Sequence, residues 1–106
     1  MTVYVDNMRR PATVARIRGR WSHLTADTPA ELHDFAERIG LKRSWFQAVC
    51  KHGPCPARGG VCAHFHYDVV DSKRAAAIAA GAQAVDLREL GAITSARRPQ
   101  FRPPAD

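Results

Sequence analysis

The chain has 106 residues, 45% of them hydrophobic, and a net charge of +6, which is enough apolar surface for one modest core and leaves no room for a second independent domain. The opening Met-Thr-Val-Tyr-Val-Asp lacks the basic-then-apolar order of a secretory signal, and no later apolar run reaches membrane-spanning length, so a cytoplasmic protein with no membrane partner is expected. Thirteen of the sixteen basic residues are arginine, a planar fork suited to phosphate and carboxylate, although the same bias is what a GC-rich actinobacterial or phage genome produces.

Residues 2–6 alternate polar and β-forming side chains and predict a short strand with Val3 and Val5 on one face. Residues 7–20 carry five arginines and no acid, with Pro11 and Gly19 as interruptions, and Trp21 to Leu24 then reads as a second strand. Thr28, Pro29 and Glu31 form a capping box with proline at the first helical position, predicting a helix from Pro29 to Ile39. Leu32, Phe35, Ala36 and Ile39 share one face of it, and Gly40 stands where a left-handed cap belongs. Gly53, Pro54, Pro56, Gly59 and Gly60 exclude regular helix from the cysteine segment, which must loop.

Beyond the loop, Phe65, Tyr67 and Val69 alternate with His64, His66 and Asp68, predicting a strand from about Ala63 to Val70 with one apolar and one chemically rich face. Ser72 is placed as the cap of a helix through Ala80 that Gly81 ends. Ala84 to Leu87 reads as a strand, and Asp86 with Glu89 as the capping box of a short helix to Ile93. Residues 94–106 hold Pro99, Pro103, Pro104, Arg97, Arg98 and Arg102 and read as a disordered tail. The expected architecture is a single α/β domain over residues 1–93, with a partly parallel short sheet, two to three helices and a zinc-stapled loop over residues 50–66.

That loop puts Cys50, His52, Cys55, Cys62, His64 and His66 within seventeen positions. Cytosolic thiols stay reduced and the cysteine count is odd, so the pattern favours metal ligands over a disulfide framework. Cysteine is often merely a small buried hydrophobe and histidine a surface residue, but three of each in one Gly/Pro loop is hard to explain that way. A Gly-Pro turn between Cys50 and Cys55 and the return through Gly59 and Gly60 bring three sulfurs toward one point. His64 is the expected fourth ligand, with His52 as its rival, which closes the shell of a structural zinc ion. Cys62, His64 and His66 on one strand would stand about 7 Å apart per pair. Neighbours can therefore share an ion, whereas His66 is left to face a cleft.

Read in order, Tyr4-Val5-Asp6, Ser22-His23-Leu24, Asp27, Glu31-Leu32-His33, Phe35-Ala36, Gly40, Phe46, His66-Tyr67-Asp68, Gly81-Ala82 and Arg88-Glu89-Leu90 resemble the bacterial and phage family called domain of unknown function 4031. The resemblance runs from about Met1 to Ile93. It implies a fold and a set of positions, but no reaction. Shorter members hold the equivalents of Phe46 and His66 close together, so Cys50 to His64 looks like an insertion. Attention moves to Asp6, His23, His33, His66, Asp68 and Arg74, polar groups at or beside element ends, where an α/β sheet collects a cleft.

Three functions follow as expectations. Arg16, Arg18 and Arg20 on one strand face, about 7 Å apart, would track successive phosphates of a nucleic acid or other polyanion. An enzyme acting on a nucleotide or phosphate-bearing substrate would use His66 or His23 as general acid/base, Asp6 or Asp68 to orient it and Arg74 to hold the anion. A protein-interaction module, for instance one binding a host protein, would use Trp21 or Trp45 as its anchor. The sequence contains no glycine-rich phosphate loop, and no pair of carboxylates at glycosidase-like positions.

Overall fold

A computed structural model of the protein describes residues 2–50, 55, 57–58 and 60–101. Its elements are β1 (Val3–Val5), β2 (Arg10–Val14), β3 (Ile17–Ala26), α1 (Pro29–Arg38), β4 (Phe46–Gln47), β5 (Ala57–Arg58), β6 (Val61–Cys62), β7 (His66–Val70), α2 (Asp71–Ala79), β8 (Gln83–Ala84) and α3 (Leu87–Ala96), with 3-10 turns at Arg43–Trp45 and Arg98–Phe101. The main sheet has the order β4-β7-β3-β1-β8, with β2 also paired to β3, and β5 and β6 form a separate hairpin. The β1–β8 pair is parallel, while β1, β2 and β7 all run antiparallel to β3 and β4 runs antiparallel to β7. The α/β domain with a partly parallel sheet is therefore as expected.

Strand β3 is the spine. Along one edge it pairs first with β2 and then with β1, and the register steps from Val5↔Leu24 to Arg10↔Trp21. Five residue steps on one strand thus face three on the other. The excess forms a bulge that leaves the edge after Asp6, and Arg9 in it takes a positive φ of 46°. Bulges re-aim side chains, and this one carries Asp6 back across the strand. The β2–β3 hairpin closes at Val14↔Ile17 through Ala15 and Arg16, both with positive φ (50° and 67°), a two-residue turn of the I′ type built without glycine or asparagine. Gly19 does not break β3. A Cβ there would come within 2.6 Å of Val70 Cγ2, so glycine is what lets β3 pass β7 at this point.

Because side chains alternate along a strand, the sheet has two different faces. On one, Val5, Leu24, Ala26, Tyr67 and Val69 join Leu32, Phe35 and Ala36 of α1 and Ala77 of α2 in a buried cluster. Each large member contributes about 1.5–3 kcal/mol by leaving water. The other face carries His23, Thr25, His66 and Asp68 and is only partly covered, by Leu87, Leu90 and Thr94 of α3. The apolar stripe and cap of α1 are as the sequence predicts: Thr28 accepts from the Glu31 N–H, Pro29 is the first helical residue, and Gly40 has φ 80°. Helix α2 starts two residues earlier than expected, with Val70 rather than Ser72 at its cap and no side-chain cap bond.

Two expectations about the C-terminal half need correcting. Leu87 starts α3 instead of ending a strand, and α3 runs past Ile93 to Ala96 and on into a 3-10 turn, so residues 94–101 are not a tail. The reason is Arg97, only 6% exposed. Its guanidinium donates to the carbonyls of Ala63 and Ala26 (2.6 Å each), to Thr25 Oγ1 (2.9 Å) and to the Phe65 carbonyl (3.3 Å), and lies 3.9 Å from the centroid of the Phe65 ring. Burial pulls it down to about 10, with Asp27 opposing, so it stays charged at neutral pH and ties the end of β3 to the entry of β7. Residues 102–106 lie outside the described residues. No helix among the described residues is long and apolar enough to cross a membrane.

Candidate functional site

The cysteine corner is built by a turn where the sequence predicts continuous strand. After β6 the chain turns at Ala63 and His64 before β7 begins at His66. Periodicity alone cannot see this, because the alternation of histidines and aromatics continues through the turn. The Phe65 N–H bonds back to the Cys62 carbonyl at 3.2 Å, and the His64 N–H points at Cys62 Sγ, 3.4 Å away. His64 therefore swings back toward the sulfurs while His66 continues into the sheet. His64 Nδ1 lies 3.2 Å from Cys50 Sγ, 3.4 Å from Cys55 Sγ and 4.0 Å from Cys62 Sγ, and Cys50 and Cys62 are 3.7 Å apart. The four expected ligands are thus within reach of one another, in an arrangement compatible with metal binding. Their rival, His52, lies outside the described residues.

The electrostatics of the corner fit a shared cation. Burial, then hydrogen bonding with Cys62 and Cys55, pushes the Cys50 thiol up to about 12, because three sulfurs this close resist ionising together. Burial, helped by Arg98 and Arg97, lowers His64 and keeps its ring neutral, the form in which imidazole binds a metal.

A second cluster occupies the exposed face of the two central strands. His23 on β3 is directly opposite Asp68 on β7, and His66 is two residues before Asp68, so all three project to the same side. One donor atom from each lies within 4.8 Å of the others. His66 Nε2 is 3.2 Å from Asp68 Oδ1, and the rings of His23 and His66 meet edge to face with centroids 5.0 Å apart. Behind His23 stands Asp6, fully buried. Its Oδ2 is 2.6 Å from His23 Nδ1, and its Oδ1 accepts from the backbone N–H of His23 (2.9 Å) and of Met8 (3.2 Å). Burial alone would raise the Asp6 carboxyl, but the hydrogen bonds from His23 and Met8 outweigh it and hold Asp6 below its ordinary range. The same bond raises His23, against burial. His66 Nδ1 is anchored 2.8 Å from the His64 carbonyl, which links the second cluster to the first.

This cluster opens into a cleft of ≈ 570 Å³ that Arg10, Trp21, Gln47, Cys50 and His64 also line. His23, His66 and Asp68 converge there, with Asp6 buried behind His23. His33 does not: its Nδ1 bonds the Tyr67 hydroxyl at 2.8 Å and its ring packs on Phe46 at 4.4 Å, on the side of the sheet that faces α1. The expected arginine stripe also divides. Arg18 and Arg20 are exposed on β3, but Arg16 sits in the hairpin turn. Arg74 donates its Nε to the Asp6 carbonyl at 2.7 Å and so holds the bulge. Arg10 is the arginine that borders the cleft, a residue that sequence reasoning passed over because its strand was interrupted on paper by Pro11. Trp21 is half-buried with its Nε1 bonded to the Ala12 carbonyl, and Trp45 is packed against the core, so neither stands out as an exposed anchor.

Residues 3–97 match the model of a family described as "Protein of unknown function (DUF4031)". The chain belongs to that family. No curated protein and no solved structure matches it.

Proposed function

We propose that the protein is a zinc-stapled α/β domain in which Cys50, Cys55, Cys62 and His64 hold one structural zinc ion. The separations within the corner carry this reading. Ligands placed tetrahedrally at about 2.3 Å for sulfur and about 2.1 Å for nitrogen stand roughly 3.5–3.8 Å apart, and the sulfur–nitrogen and sulfur–sulfur distances of 3.2–4.0 Å bracket that range. Four protein ligands leave no position for substrate, so the ion's work is to fold a loop too rich in glycine and proline to bury itself. The zinc also fixes the His64 carbonyl, and with it the ring of His66. Protein purified without chelator contains one zinc per chain on this account, and the absence of stoichiometric zinc in elemental analysis would refute it.

A second reading concerns the cleft, and the convergence of Asp6, His23, His66 and Asp68 favours it. We infer an enzyme acting on a nucleotide or other phosphate-bearing substrate. His23, oriented and made more basic by Asp6, serves as acid/base, and Arg10 at the rim attracts the anion. Binding to nucleic acid through Arg18 and Arg20 is the weaker proposal, since Arg16 sits in the hairpin turn and Arg74 is engaged at the Asp6 carbonyl. The cleft reading is checked by adding nucleoside monophosphates and following the imidazole signals of His23 and His66 by NMR. Shifts that vanish in Arg10→Ala support it, and unchanged signals at millimolar ligand exclude it.

A further inference from the structure

We propose that His23, His66 and Asp68 form a second metal site, open to the cleft and distinct from the cysteine corner, which takes a divalent first-row cation such as Mn²⁺, Fe²⁺ or Co²⁺. The inference rests on the cleft reading for its location and replaces the acid/base role given there to His23: with Nδ1 on Asp6 and Nε2 on the ion, His23 has no nitrogen left to exchange a proton with substrate.

The case comes from hydrogen-bond bookkeeping on the two imidazoles. A carbonyl oxygen can only accept, so His66 Nδ1, 2.8 Å from the His64 carbonyl, carries a hydrogen. Nε2 is then the nitrogen that faces the Asp68 carboxylate oxygen, at 3.2 Å. With a His23 donor atom also within 4.8 Å, the three stand at ligand-to-ligand distances, and a metal ion can take the place that a proton otherwise fills between His66 and Asp68. The same reasoning applies to His23: with Nδ1 turned to Asp6 Oδ2, Nε2 is the nitrogen left to bind.

Two histidines and one carboxylate on one face are the donor set of open mid-row metal sites. The outer shell fits as well, since ligating histidines characteristically give their other N–H to a carboxylate or a backbone carbonyl. Here Asp6 does this for His23 and the His64 carbonyl for His66. The 3.2 Å separation of His66 Nε2 and Asp68 Oδ1 is close to the roughly 3.0 Å expected of neighbouring ligands at right angles on bonds of about 2.1 Å. Three protein ligands leave coordination positions facing the cleft, where a phosphate oxygen or water can bind. Because nitrogen and oxygen donors suit these cations and thiolates suit zinc, the two sites sort metals by chemistry.

The test uses the full chain already loaded with one zinc. Titration with Mn²⁺, read by the loss of the free-ion EPR signal, gives one further ion per chain. Co²⁺ added in its place binds without thiolate-to-cobalt absorption. Asp68→Asn and His23→Gln, each with its one zinc retained, bind Mn²⁺ at least about tenfold more weakly, and Asp6→Asn, which acts only by positioning His23, weakens it by about tenfold or more. A wild-type protein that takes up neither Mn²⁺ nor Co²⁺ beyond the zinc overturns the proposal and leaves the acid/base reading standing. Undiminished binding in both Asp68→Asn and His23→Gln overturns it too. Normal metal binding with no nucleotide response in the NMR experiment removes the substrate class and keeps the metal site.

Discussion

The cysteine corner and the histidine–aspartate face lie side by side, joined through the His64 carbonyl, yet they are built in opposite ways. The corner draws soft ligands from a loop whose sequence is rich in glycine and proline and from a tight turn, and its donors are enough to close a tetrahedral shell. The face places hard and borderline ligands on two central strands whose backs are buried, and backs one of them with a fully buried carboxylate. On the proposed assignments, the metal at the closed four-ligand corner supplies structure, and the three ligands that stand on a rigid sheet and open to a cleft serve chemistry.

The comparison breaks most visibly at the corner. Zinc removal, or Cys55→Ser, costs more than about 3 kcal/mol, roughly 12 °C or more in Tm, because metal affinity there is folding free energy. Asp68→Asn on the half-buried face stays within about 1 kcal/mol. Thermal melts with and without chelator measure both, and equal sensitivity of the two regions contradicts the division of roles. Next in size is Arg97→Met. Losing its donors strands the buried Ala26 and Ala63 carbonyls, while the Phe65 carbonyl keeps its bond from Thr25, and costs about 2–4 kcal/mol in chemical denaturation, whereas a value near zero would place Arg97 back in a tail.

Acid–base behaviour gives a smaller effect with a definite sign. The folded-state value of His23 is raised above 6.5, so its contribution is whole below that pH and is lost as pH rises through the raised value. Asp6 is held below 3.8, so its contribution is whole above that pH and is lost as pH falls through the lowered value. In zinc-loaded protein free of other cations, NMR titration finds His23 above the ordinary histidine range, and Asp6→Asn brings it down. An unmoved His23 means that Asp6 does not tune it. The smallest change lies in the turn of the β2–β3 hairpin. Replacing Ala15-Arg16 with Asn-Gly relieves two positive-φ residues and stabilises the hairpin by about 1 kcal/mol, and an unchanged or lower melting temperature argues against strain there.

The cysteine corner was legible in the sequence almost residue by residue, because ligand chemistry and a nearby loop advertise themselves locally. The capping boxes of α1 and α3 were legible for the same reason, since Thr28, Pro29 and Asp86 each act within one turn. What escaped depends on long-range register. That His23 meets Asp68 follows from the pairing of β3 with β7, and that Asp6 reaches His23 follows from a bulge invisible in composition. His33 looked equivalent to His23 until the helix carrying it turned out to pack on the other face. Arg97 looked like one more tail arginine because its acceptors are backbone carbonyls, which no side-chain pattern announces.

Zinc-edge X-ray absorption on protein purified without chelator tests the central claim most directly. One zinc surrounded by three sulfurs and one nitrogen is the predicted result, and a zinc bound by nitrogen and oxygen alone, or no zinc, would contradict it.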